Sequence, residues 1–96
     1  MGGHGRTSRD SVVLATFAVL RRLAKMEEES GSPIVASRRE LAMRIGLSSY
    51  RVSAALDRLE AAGLIERDEA VEDGSGRFAR AYSVTEHGHA LVRGIG

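Results

Sequence analysis

Five arginines, Arg38, Arg39, Arg44, Arg51 and Arg58, fall between residues 37 and 58 against only Glu40 and Asp57, a local charge of +3. Among them stand Ser48, Ser49, Tyr50, Ser53 and Ala54. A guanidinium offers five N–H donors in a planar fork that matches phosphate oxygens or a base edge two at a time, while hydroxyls add donors and acceptors and a methyl adds apolar contact. Such a set suits recognition of a polyanion, not bond making. The charge then reverses: residues 59–76 carry Arg67 against Glu60, Glu66, Asp68, Glu69, Glu72 and Asp73, a local charge of −5, before Arg77 and Arg80 follow.

Catalytic chemistry finds little purchase in the chain. There is no phosphate-cradling glycine loop with its lysine and no nucleophile signature, and Gly74-Ser75-Gly76 reads as a hairpin tip. Cysteine is absent, which removes disulfides, thiolates and cysteine-bound zinc. His87 and His89 stand two apart on an expected helix and so point to different sides, and His4 is remote from both, so surface histidines are expected and no metal or cofactor.

The elements that must position the basic block can be read from periodicity and punctuation. An arm over residues 1–9, with Arg6 and Arg9, precedes a long helix expected from Asp10 to about Glu29. Its stripe is Val13, Phe17, Leu20 and Ala24, broadened by Val12, Val19, Leu23 and Met26. Ser30-Gly31-Ser32-Pro33 stops it, and Ile34-Val35-Ala36 reads as a brief strand. Ser37-Arg38-Arg39-Glu40 fits a capping box opening a second helix, Arg38 to Ile45, with Leu41, Ala42 and Ile45 facing inward and Gly46 as its stop. Ser48 is placed to cap a third helix, Ser49 to about Ala62, whose inward face is Val52, Ala55, Leu56 and Leu59. Two helices joined by a three-residue turn around a glycine make a helix-turn-helix.

Leu64 to Arg67 then reads as a strand, Glu69 to Gly76 as a loop and Arg77 to Val84 as a returning strand with Phe78, Arg80, Tyr82 and Val84 on one side. Thr85 caps a last helix, Glu86 to about Arg93, with Ala90 and Leu91 turned to the core. The fold class is thus mainly α with a small β-hairpin, a winged helix-turn-helix in the order helix, short strand, helix, helix, strand, wing, strand, helix. Residues 10–96 form its single domain, with 43% hydrophobic and 28% charged residues, as in an ordinary soluble globular protein.

No apolar run nears the roughly 20 residues needed to cross a bilayer, and no apolar core follows the arginines of the opening, so a cytoplasmic protein is expected. Asparagine and glutamine are absent, and Lys25 is the single lysine against thirteen arginines, a profile that predicts a thermophilic, GC-rich source.

The stretch from Leu56 to Arg67, LDRLEAAGLIER, resembles the end of the recognition helix and the first wing strand of winged helix-turn-helix regulators of the MarR-like and PadR-like groups. Tyr82 to Gly88, YSVTEHG, resembles their strand-to-helix junction, and the likeness extends over about residues 10–93. It departs from their common pattern in the acidic first half of the wing. The resemblance implies a sequence-specific, double-stranded-DNA-binding transcriptional regulator. The long first helix has more apolar surface than a small wing domain needs and one protomer reads only a few base pairs, so a homodimer through the first and last helices is expected, and no polar cluster marks an effector.

In that frame the third helix enters the major groove. Arg51 is the candidate for a bidentate contact to guanine, Ser48, Ser49, Tyr50 and Ser53 for phosphate or base edges, and Ala54 for a thymine methyl. Arg58 lies two turns on. Arg38 and Arg39 fit phosphate contacts that carry no sequence information, and Arg77 and Arg80 fit contacts beside the wing. The plainer alternatives are arginines that merely solvate a helix, a winged-helix domain used for protein interaction, and an architectural DNA binder without sequence preference.

Overall fold

The structure, a computed structural model, describes residues 4–68, 71–72 and 78–95. Its elements are α1 (His4–Ser30), β1 (Ile34–Ala36), α2 (Arg38–Ile45), α3 (Ser49–Ala61), β2 (Ile65–Arg67), β3 (Val71–Glu72), β4 (Phe78–Val84) and α4 (Glu86–Ile95). This is the winged helix-turn-helix expected from the sequence, with two differences in its elements. Helix α1 begins at His4, so residues 4–9, read as an arm, lie within the helix. The loop expected from Glu69 to Gly76 contains the short strand β3.

Local signals start and stop the helix-turn-helix. At α2 the Ser37 Oγ accepts the Glu40 backbone N–H at 3.1 Å, and the Glu40 carboxylate accepts the Ser37 N–H at 3.0 Å, so two otherwise orphaned donors are satisfied reciprocally. The helix ends at Gly46, whose φ of 86° lies in the left-handed region that a side chain resists, and its N–H returns to the Ala42 carbonyl at 2.8 Å. Ser48 caps α3 by accepting the Arg51 N–H at 3.2 Å. Gly63, φ 72°, turns the chain from α3 into β2.

The sheet has the order β1-β4-β2, all antiparallel, with Ile34 opposite Tyr82 and Ile65 opposite Val84. Strand β3 pairs with the start of β4, Val71 opposite Ala79, and forms the wing. On β4 the alternation holds at Tyr82 and Val84, which are buried. Arg80, on the same side by alternation, pairs with the last residue of β1 and is exposed, while Ala79 is buried instead. Of the expected one-sided set, Tyr82 and Val84 are thus buried and Arg80 is not, while the Phe78 side chain lies outside the described residues.

The core joins Val19, Leu20, Leu23 and Ala24 of α1 to Leu41, Val52, Ala55, Leu56 and Leu59 of the helix-turn-helix and to Ile34, Ile65, Tyr82 and Val84 of the sheet. Each fully buried large aliphatic side chain contributes about 1.5–3 kcal/mol of burial free energy. The stripe expected along α1 is divided. Its second half is buried, Phe17 and Met26 pack half-buried against the core, and Val12 and Val13 are exposed together with Leu14.

Helix α4 is stitched to the α3–β2 turn. The Thr85 hydroxyl donates to the Gly63 carbonyl at 2.8 Å and accepts the Gly88 N–H at 3.0 Å, and the Thr85 N–H donates to the Leu64 carbonyl at 3.0 Å. Leu91 and Val92 pack against the core, whereas Ala90, expected to do so, is exposed.

Candidate nucleic-acid interface

A helix advances about 100° per residue, so burial of Val52, Ala55, Leu56 and Leu59 turns Tyr50, Ala54 and Asp57 to the opposite face of α3. Tyr50 is 82% exposed, which for an aromatic side chain on a helix's first turn leaves its ring and hydroxyl free to meet another molecule. Ser49 is exposed beside it, and Ser53 and Ala54 are half-buried one turn on. The Ser48 oxygen is occupied as the α3 cap, and its hydroxyl hydrogen remains to donate.

The arginines expected at this surface are distributed around it. Arg39 and Arg58 are exposed. Arg51 is exposed on the flank of α3 nearest α1, beside a cleft it shares with Leu14, Ala18, Arg22, Ile45 and Leu47. Arg38, at the first position of α2, reaches across to α3 and donates from Nη1 to the Ser53 Oγ at 2.7 Å. None of Arg38, Arg39, Arg51 or Arg58 forms an ion pair among the described residues. Arg80 is exposed on β4, and Arg77 and the wing tip lie outside the described residues.

One arginine was not among the sequence candidates. Arg67, at the end of β2, has a side chain only 13% exposed and pairs with two carboxylates of α3, Asp57 at 3.5 Å and Glu60 at closer range. The single positive charge of Arg67 offsets part of the negative charge of two acids that would repel a phosphate backbone, and the first wing strand is tied to the helix beside it. Asp57 thus spends its charge on Arg67 and not on its neighbour Arg58. The sequence signal was a lone arginine in an acidic block, ten residues after Asp57 and seven after Glu60; its meaning needs the turn at Gly63 that folds β2 back on α3.

The histidines also divide. His87 is exposed, whereas His89, expected at the surface, is half-buried with Nε2 2.8 Å from the Glu27 carboxylate, joining α4 to α1. No group of three histidines or acids able to hold a metal ion occurs among the described residues. No helix there is long and apolar enough to cross a membrane.

The same architecture occurs in solved proteins. A MarR family regulator from Neisseria meningitidis is 28% identical, with a TM-score of 0.61 over 84% of this chain and 50% of its own. The PcaV transcriptional regulator from Streptomyces coelicolor matches at 22% identity and TM-score 0.63 over 85% and 53%. The transcriptional regulator BldR from Sulfolobus solfataricus matches at 22% identity and TM-score 0.59 over 84% and 50%. The chain thus spans about half the length of these solved structures. No curated protein matches it by sequence. The sequence profile of the MarR family covers residues 13–74, from the exposed first half of α1 through the helix-turn-helix into the wing. Family profile and fold agree on the same segment, and the chain belongs to the MarR family.

Proposed function

We propose that this chain is the DNA-reading unit of a transcriptional regulator, binding double-stranded DNA sequence-specifically as a homodimer with α3 in the major groove. The observation that carries the reading is the exposed N-terminal half of α3, where Tyr50 stands clear of the protein amid Arg38, Arg39, Arg51 and Arg58, none of them held in an ion pair among the described residues. Arginines free of internal carboxylates are available to phosphate, and each phosphate neutralised releases counterions, which favours binding at low salt. Tyr50, Ser49, Arg51 and Ala54 meet base edges in the groove, Arg39 and Arg58 meet the backbone, and Arg80 meets the strand beside the wing. The function is binding in the cytoplasm, without catalysis.

The homodimer is supported by the exposed run Val12, Val13 and Leu14 on α1, at 36%, 48% and 69% exposure. Covering these side chains with a second copy removes apolar surface from water at about 25 cal/mol per Å². Two protomers then present two α3 helices about 34 Å apart, one turn of DNA.

Selection of bound duplexes from a random pool tests the reading. It expects an inverted repeat with half-sites about one turn apart. Recovery of no consensus would remove sequence-specific reading, and a single unrepeated half-site would remove the dimer. Retention of a protein partner with no binding to duplex DNA at low salt would instead make this an interaction module.

A further inference from the structure

We infer that Arg38 is a sequence-reading residue held in place by Ser53, although its position at the start of α2 suits a plain phosphate contact. The inference rests on the proposal that α3 enters the major groove. Arg38 is exposed, and nothing on its own helix draws it in: the Glu40 carboxylate, two residues on, is turned to the Ser37 N–H in the capping box. Its guanidinium instead crosses to α3, where Nη1 lies 2.7 Å from the Ser53 Oγ. A free arginine loses about 2 kcal/mol of rotamer entropy when fixed. This one is already fixed, against the helix that reads.

Where it is fixed decides what it can do. Ser53 stands one turn after Tyr50, the most exposed large apolar side chain among the described residues, and next to Ala54. A group anchored to Ser53 therefore borders the groove-entering face formed by Tyr50 and Ala54. One N–H of Arg38 is used on Ser53 and four remain in the same plane, enough for a bidentate contact to the O6 and N7 of a guanine. Ser53 accepts that hydrogen bond and retains its own hydroxyl hydrogen. Arg51 stands on the other side of that face, beside α1, so the base edge it meets is a different one from that within reach of Arg38. Arg39 has no such anchor and stays a phosphate contact.

The test uses the full chain and five proteins: wild type, Arg38→Ala, Arg38→Lys, Ser53→Ala and the Arg38→Ala/Ser53→Ala double variant. Each is titrated against the duplex recovered by selection and against duplexes with one guanine at a time changed to adenine. Arg38→Ala is expected to lose roughly tenfold discrimination at one guanine per half-site while preserving it elsewhere. Arg38→Lys is expected to keep affinity but not that discrimination, because an ammonium lacks the planar fork. Ser53→Ala is expected to lose part of the same discrimination in the wild-type background and nothing further when Arg38 is already alanine. Both residues are at or near the surface, and equal thermal midpoints confirm that folding is unchanged.

Two results overturn the inference alone. In the first, Arg38→Ala weakens all duplexes equally and makes the salt slope shallower by about one, the signature of a phosphate contact. In the second, the Ser53→Ala loss adds in full to that of Arg38→Ala, which means that Ser53 meets DNA by itself. A wild type with no preference among duplexes overturns the DNA-reading proposal and this inference together, and is distinguished by failing before any variant is compared.

Discussion

Replacing Gly88 with alanine adds one methyl group at the tightest backbone approach among the glycines of the described residues. A Cβ there would overlap the Leu64 carbonyl oxygen and stand 2.8 Å from Val84 Cγ1 and 3.2 Å from the Leu64 carbonyl carbon. Two of these three atoms belong to backbone, so no side-chain rotation relieves the clash. That same oxygen accepts the Thr85 N–H at 3.0 Å, and the Leu64 N–H is bonded to Leu59 at 2.9 Å. Helix α4 must therefore back away from the α3–β2 turn. Overpacking of this kind costs about 1–3 kcal/mol. A weakened Thr85 bond adds about 0.5–1.5 kcal/mol, and the better helix propensity of alanine returns about 1 kcal/mol. The net destabilisation is about 1–3 kcal/mol, which for a domain near 100 residues lowers Tm by roughly 5–20 °C.

Gly94 is the internal control, since a Cβ there meets nothing within 4 Å. Gly94→Ala is expected to leave Tm unchanged or raise it by a few degrees, at about 0.5 kcal/mol or less near a helix end. The assay is thermal unfolding followed by circular dichroism at one fixed protein concentration, because the proposed homodimer would make Tm concentration-dependent. A Gly88→Ala midpoint equal to wild type would refute the packing argument, because the overlap with Leu64 would then be absorbed without loss.

Other expectations follow from the same geometry. Arg67→Ala removes the partner of Asp57 and Glu60, so DNA affinity should fall through two uncompensated carboxylates beside the groove; Arg67→Ala with Asp57→Ala and Glu60→Ala should recover it, and a triple variant as weak as the single one would count against charge as the cause. Tyr82→Phe removes a buried hydroxyl without a partner in the structure, and urea unfolding should show stability unchanged or raised by about 1 kcal/mol; a loss of that size would place a bound water there. Ser37→Ala dismantles the α2 capping box and should cost about 0.5–2 kcal/mol in the same experiment. Leu14→Glu puts a charge in the exposed apolar run of α1 and should shift sedimentation from dimer to monomer, with folding intact at 69% exposure.

What could be read in the sequence were features decided within a few residues. The capping box at Ser37 and Glu40, the caps at Ser48 and Thr85 and the stop at Gly46 are each made by backbone groups at most four residues away, so residue type and spacing are enough to find them. The inward faces of α2 and α3 were legible for the same reason. Reading failed where a neighbour set the outcome. The α1 stripe is periodic from Val12 to Met26, but only its second half has core beneath it. Ala79 is buried by its place in the wing and not by the alternation of β4.

The site shows the division most plainly. Composition placed the arginines of residues 37–58 in one block, and the order of elements placed that block on a helix-turn-helix, because charge and helical period are properties of the chain itself. Only the packed molecule decided what each arginine faces. Arg38 meets Ser53 across 15 residues, Arg67 meets Asp57 and Glu60 around the turn at Gly63, and His89 meets Glu27 across 62 residues. A hydrogen bond or ion pair is short-ranged and its members lie far apart in the chain, so its existence depends on how α1, α3, β2 and α4 come together. Gly88 is the smallest example: the sequence shows a glycine three residues after a capping threonine, and the tertiary structure shows the Leu64 carbonyl that leaves room for nothing larger.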